Sequence, residues 1–279
     1  MSLSKILVST ERKYILKNLK QDKRIDGRDL FQYRDINIDA NIVKAAEGSA
    51  KVHLGKTCVI TGVKYELGPP FPDMPDKGVY TVMAELVPMS WGAFEGGPPS
   101  QQAIELARLI DRPIRSAKTI QNEMLCLIPN KLVYIIFIDV YSINYSGNLI
   151  DSGTISALTA LVSSKIPTAK ILDEEKAKVE WDGGYFNTKK LLKNLPISIT
   201  FGKIDDVVFV DPNLTEELVM DGRITYAFDD DGNLVSLQKG GLATFSIDEV
   251  KSLAREAKEL GVKLRKDLDL WQYQNLKNK

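Results

Sequence analysis

The sequence predicts an α+β fold in which helices cover β-sheets. Three observations carry this. Strand-like apolar patterning recurs over 34–67, 79–89, 132–145 and, around an acidic loop, 197–238. Residues 151–165 are apolar on every side, with only Asp151 and Lys165 charged, so this helix is expected to be buried. The elements run strands, buried helix, strands, helix.

Taken in order, residues 4–20 read as an amphipathic helix with Ile6, Leu7, Tyr14, Ile15 and Leu19 on its apolar side. A turn-rich break at 21–28 follows. Ile36–Asp39 alternates, Gly48–Leu54 is a strand, Gly55-Lys56-Thr57 a hairpin turn, and Cys58–Tyr65 the partner strand. Residues 68–78, with four prolines, form a loop. Val79–Met89 is a strand. Ser100 caps a helix over 101–119, where Ala103, Leu106, Ala107, Ile110, Ile114 and Ala117 share one side. Arg108, Arg112 and Arg115 share the other, and Pro113 is expected to kink or restart the helix between them. Leu132–Tyr145 is an apolar strand. The stretch 168–194 is charged and weakly patterned, and marks a lobe boundary. Strands at 197–203, 207–210, 222–228 and 234–238 follow. Ser246 and Glu249 form a capping box for a last helix carrying Val250, Leu253, Ala254, Ala257 and Leu264.

The 279 residues, 44% hydrophobic and 27% charged, exclude collagen, coiled coil and disorder. No apolar run reaches membrane-span length, so a cytoplasmic protein without membrane contact is expected. The two cysteines, Cys58 and Cys126, read as reduced core filler. The single histidine, His53, sits on the solvent side of a strand whose Val52 and Leu54 point inward. A structural zinc site or a Ser-His-Asp triad is therefore not expected. Lys and Arg total 37, as do Asp and Glu, so net charge does not announce a nucleic-acid binder. The distribution is uneven. Residues 1–34 hold nine basic and four acidic groups; residues 205–231 hold nine acidic groups and Arg223. These runs read as solvated surfaces, or as complementary surfaces for assembly with a neighbour.

Three places offer chemistry. Asp211 ends an apolar strand, and with Glu217 it could converge on Mg²⁺ or act as a general acid. The plainer reading is acids gathered at a helix N-terminus. Gly96-Gly97-Pro98-Pro99 precedes a helix, but its prolines delete the backbone donors a phosphate loop needs. The arginine stripe can grip phosphates, with no aromatic neighbour on its helix face. Its alternative is a solvated face with the local pairs Glu105–Arg108 and Asp111–Arg115.

Several of these stretches resemble the RNase PH family. They are Arg24-Ile-Asp-Gly-Arg28 followed by Tyr33-Arg34, Gly48-Ser-Ala-Lys-Val52 with Gly55-Lys-Thr57, and the segment Glu105–Arg115. The long N-terminal helix, Glu95-Gly-Gly-Pro-Pro99 and Asp211-Pro212 resemble the branch of non-catalytic ring subunits in the archaeal exosome. The resemblance spans about 21–260. It implies two βαβα lobes related to a domain of ribosomal protein S five. The expected division is an N-terminal helix at 1–20, a first lobe at 21–195, a second lobe at 196–262, and a helical tail at 263–279. It also implies a hexameric ring in which this subunit alternates with a catalytic sister. RNA-binding cap subunits join the ring, and single-stranded RNA is degraded from its 3′ end by inorganic phosphate.

Active members of the family hold phosphate with an arginine before the first long helix; here Gln102 stands in that place. They use a Gly-Thr-Arg turn where this chain has Gly147-Asn148-Leu149-Ile150. They carry two aspartates where this chain has Asp211 and Glu217. An acid pair without a phosphate clamp cannot run phosphorolysis, because the attacking anion must be neutralised. The resemblance therefore implies an inert, cofactor-free subunit that binds RNA through Arg112 and Arg115, with Arg108 beside them. The competing expectations are an active phosphorolytic 3′–5′ exoribonuclease with a rearranged site, and an isolated RNA-binding module.

Overall fold

The computed structural model describes residues 3–274, with side chains from residue 10. The first helix, α1, spans Leu3–Leu19. Of its expected apolar stripe, Ile6 and Leu7 lie outside the described side chains. Ile15 and Leu19 are buried against Ile204, Phe209 and Val219 of the second lobe, while Tyr14 is exposed.

Strands β1 (Ile36–Ala40), β2 (Gly48–Leu54), β3 (Thr57–Gly68) and β4 (Val79–Leu86) come next. They are followed by helix α2 (Gln101–Ser116), the short β5 (Cys126–Ile128) and β6 (Leu132–Asn144). The sheet order is β1-β2-β3-β6-β4, with β5 added to β6 and β4 parallel to β6. Helix α3 (Leu149–Val162) is buried along its whole length, packed on β2 and β3 on one side and on the second lobe on the other. Two of its hydroxyls are satisfied within the helix: Thr154 and Thr159 donate to the carbonyls of Ile150 and Ile155, both at 2.8 Å. Gly153 faces α2, where a Cβ would lie 2.7 Å from Ile110 Cδ1.

The second lobe holds β9 (Ile197–Ile204), β10 (Val207–Val210), β11 (Gly222–Phe228) and β12 (Leu234–Gly241), in the antiparallel order β10-β9-β11-β12. Helix α6 (Ile247–Leu268) covers this sheet. It begins at the expected Ser246–Glu249 capping box and runs unbroken past residue 263. Residues 275–279 of the expected tail lie outside the described residues.

Three details differ from expectation. The stretch read as weakly patterned forms a hairpin, Pro167–Asp173 (β7) with Lys178–Tyr185 (β8), and one helical turn, Thr188–Leu191 (α4). Both hairpin faces are largely solvated, so no apolar alternation was available to betray it. Pro113 does not break α2. It falls in the last turn, deletes a single bond to the Leu109 carbonyl, and its ring is buried. Cys126 is only half-buried, whereas Cys58 is buried; both are free. His53 does take the outer side of β2, with Val52 and Leu54 fully buried.

Candidate functional site

The acidic loop after β10 folds onto the basic N-terminal segment. Asp211 is fully buried and has a left-handed backbone (φ 49°). Its Oδ2 accepts from Arg28 Nη1 at 2.8 Å, Arg34 Nε at 2.8 Å and the Arg34 backbone N–H at 3.0 Å. Its Oδ1 accepts from Arg34 Nη2 at 2.7 Å and Asn148 Nδ2 at 2.8 Å. Burial by itself would raise this carboxyl; the bonds and charge of Arg34, joined by Arg28 and Asn148, outweigh burial and hold it below its ordinary value.

The one-turn helix Leu214–Glu217 (α5) supplies Glu216, whose carboxylate takes a two-point contact from Arg24. Both side chains are 0% exposed. Arg24 also donates to the carbonyls of Val210 at 2.7 Å and Asp211 at 2.9 Å. Arg12 reaches Asp221 and Asp205. The arginines of the basic run therefore pair with Asp205, Asp211, Glu216 and Asp221 of the acidic run inside one chain, while Lys13, Lys17, Lys20 and Lys23 stay exposed. For these arginines and acids the expectation of solvated surfaces, or surfaces reserved for a neighbour, is corrected: tertiary contact brings residues about 190 positions apart together.

Glu217 accepts from the Tyr145 hydroxyl and, at 2.8 Å, from the Asn148 backbone N–H. Burial raises its carboxyl above the ordinary value. Asp211 and Glu217 thus touch Asn148 through different groups and do not converge on a cation. Among the described residues no group of three or more His, Cys, Asp or Glu is arranged to hold a metal. The turn Gly147-Asn148 packs tightly against the acidic loop. Gly147 (φ 93°) lies so close to the acidic loop that a Cβ would sit 2.4 Å from the Asn213 carbonyl carbon. The Gly147 carbonyl accepts from Thr57 at 2.6 Å and Arg34 at 3.2 Å.

Gln102 and Glu217 line one cavity of about 270 Å³, with Glu105, Tyr145, Arg223 and the Trp91 and Phe94 rings. Arg223 is paired with Glu105 at 2.6 Å. The cavity carries two carboxylates and one guanidinium, the wrong balance for a multiply charged anion. Asp211 lies behind it, in the ion-pair cluster.

Asp151, at the start of α3, reads in the sequence only as a charge on a buried helix. It accepts from the Tyr33 hydroxyl at 2.7 Å, Asn148 Nδ2 at 2.8 Å, and the Thr200 N–H and hydroxyl at 3.0 and 2.8 Å. Complete burial outweighs these bonds and raises its carboxyl from 3.8 to about 6. The folded chain keeps this proton to higher pH than the unfolded chain. This group's contribution to stability therefore falls as pH rises through that window, by roughly 3 kcal/mol. Urea unfolding of wild type and Asp151→Asn between pH 4 and pH 7 is expected to show the wild type losing ground to the variant with rising pH. A difference that stays flat contradicts this.

The three arginines of α2 are exposed but not equivalent. Arg112 Nη1 donates to Gln238 Oε1 of β12 at 3.0 Å. Arg115 pairs with Asp111 at 2.7 Å, as the spacing suggested, and its guanidinium carbon lies 4.5 Å from the centre of the Tyr80 ring. Arg108 has no hydrogen-bond or ion-pair partner among the described residues, because Glu105 turns to Arg223 instead of forming the expected local pair. Arg108 borders both grooves beside the helix, one shared with Arg115 and one with Arg112. The structural roles of Arg24, Arg28, Tyr33, Arg34 and Asn148 were not legible in the sequence. The signal was a run of arginines around Asp26-Gly27, with nothing local to show that they are buried.

The family model described as the 3′ exoribonuclease family matches through domain 1 at residues 32–167 and domain 2 at 194–259. The chain belongs to this family, that of RNase PH. More particularly, it is 45% identical to "Exosome complex component Rrp42" of Thermococcus onnurineus over 250 residues, 90% of this chain and 91% of that one. It is 44% identical to the component of the same name in Thermococcus kodakarensis, covering 95% of this chain and 96% of that one. A chain of the solved Archaeoglobus fulgidus exosome with RNA bound to the active site superposes with a TM-score of 0.84 at 35% identity, covering 94% of this chain and 99% of that one.

Proposed function

We propose that this chain is an Rrp42-type exosome subunit: a ring component that binds RNA and is itself inert. The observation that supports this most directly is the fate of the acid position. Asp211 is spent as counter-ion to Arg28 and Arg34, and the neighbouring cavity presents Gln102, Glu105 and Glu217. Phosphorolysis needs a cationic seat for the attacking phosphate, and the one guanidinium of this cavity, Arg223, is already paired with Glu105. RNA binding falls to Arg108, Arg112 and Arg115, whose exposed guanidinium groups suit phosphates on a single strand. The partners in this reading are a catalytic RNase PH-like sister in an alternating hexamer, RNA-binding cap subunits and single-stranded RNA. The lobes divide near residue 195. Free cysteines fit a reducing cytoplasm, and no helix among the described residues is long and apolar enough to cross a membrane.

Strand β4 ends the first sheet, so one backbone edge is open, and Met83 on it is exposed. Such an edge favours assembly. An obligate ring interface buries roughly 2,000 Å² or more. Mixing the chain with the sister subunit of a close relative is expected to give a hexamer by light scattering. The chain alone is expected to release no nucleoside diphosphate from RNA and phosphate, whereas the ring does. Phosphate-dependent shortening by the purified chain would instead favour the active-exoribonuclease reading.

A further inference from the structure

We infer that Tyr80 is a positioning residue for the RNA grip, holding the Arg115 guanidinium flat on its ring so that the group is oriented before RNA arrives. This rests on the reading of the α2 arginines as phosphate contacts.

Arg115 is constrained on two sides. Its Nε and Nη2 donate to Asp111 Oδ2 and Oδ1 at 3.0 and 2.7 Å. One face of the group lies over the Tyr80 ring. The Arg115 side chain remains 56% exposed, and it opens with Arg108 onto a groove of about 620 Å³ between α2 and β4. Tyr80 itself is 5% exposed and sits on β4, paired in register with Ile136 of β6, so the ring is a rigid platform.

The two restraints differ in electrostatic consequence. Asp111 orients Arg115 but cancels much of its charge, and it competes with an incoming phosphate. The tyrosine face attracts the cation through its quadrupole and carries no net charge. Tyr80 therefore fixes the guanidinium while leaving its charge available. An unrestrained arginine surrenders rotamer freedom when it is immobilised, and a preoriented one surrenders less. Arg112 is treated alike, held through the neutral amide of Gln238. Burial raises the Tyr80 phenol, so the ring stays uncharged at any pH where RNA binding is measured.

The test uses rings assembled with the sister subunit and one homopolymer RNA over a salt series. Tyr80→Leu is expected to weaken binding about three- to fivefold. The plot of log affinity against log salt should keep its slope, because the phosphate contact still forms once RNA is bound. Tyr80→Phe, which keeps the ring face, is expected to bind like wild type. In an Arg115→Ala background, Tyr80→Leu should add nothing. Tyr80→Met serves if the leucine variant fails to assemble. Equal losses with and without Arg115 would mean that Tyr80 acts through the fold and would overturn the inference. So would Tyr80 variants that bind like wild type while Arg115→Ala weakens binding, a result that leaves the RNA reading intact. If Arg115→Ala itself binds like wild type, that reading fails and the inference fails with it.

Discussion

Arg24→Ala is expected to destabilise the chain by about 3–5 kcal/mol, more than the loss of any exposed arginine. The substitution leaves Glu216 without its cation, with its side chain 0% exposed, and it removes donors from the Val210 and Asp211 carbonyls. A buried ion pair adds little stability over an apolar replacement, but half of one is costly, because the remaining group is buried with no counter-ion. Arg24→Met combined with Glu216→Leu should therefore recover part of the loss. Recovery stays incomplete, since Glu216 also accepts from the Asn213 N–H at 2.8 Å in a capping box. Urea unfolding of the three proteins checks this. A single substitution as mild as a surface one, or a double variant worse than the single, would show that the pair is not the anchor between the N-terminal segment and the second lobe.

Arg112→Ala with Arg115→Ala should weaken RNA binding by the assembled ring roughly tenfold per arginine at low salt. If, as proposed, the guanidinium groups on this helix meet phosphates and not base edges, the loss should be alike for all RNA sequences. The salt slope should flatten by about 0.7 for each phosphate of a single strand that is no longer neutralised. Arg108→Ala should act at least as strongly as either, since no partner among the described residues competes for its charge. Assembly should persist, because all three side chains point away from the buried side of α2, formed by Ala103, Leu106, Ile110 and Ile114. An unchanged slope in intact rings would return Arg112 and Arg115 to local roles beside Gln238 and Asp111.

Local signals carried far in this chain. The hairpin turn at Gly55-Lys56, the Ser100 cap, the Ser246–Glu249 capping box and the buried α3 were all legible, because each depends on residues within a turn or two of one another. The β7–β8 hairpin was not legible, since a ribbon solvated on both faces needs no apolar periodicity. The arginine stripe could be read as a stripe, but not as three different environments. The helix face itself carries no aromatic, as expected, but Tyr80 and Gln238 arrive from strands far away in sequence to meet Arg115 and Arg112.

By itself the sequence determined the order of the main strands and helices, the Ser100 and Ser246 caps, the core-facing sides and the motifs that place the chain in its family. Only the tertiary structure decided what the charges do. A run of arginines at 24–34 and a run of acids at 211–217 look the same in sequence whether solvated, offered to a partner or buried together. Their energies depend on distance and dielectric, and neither is defined until β10 and the N-terminal segment are packed side by side. Once packed, Arg24 meets Glu216, and Arg28 and Arg34 close over Asp211. An acid that sequence could offer as a metal ligand or general acid thereby becomes a structural counter-ion.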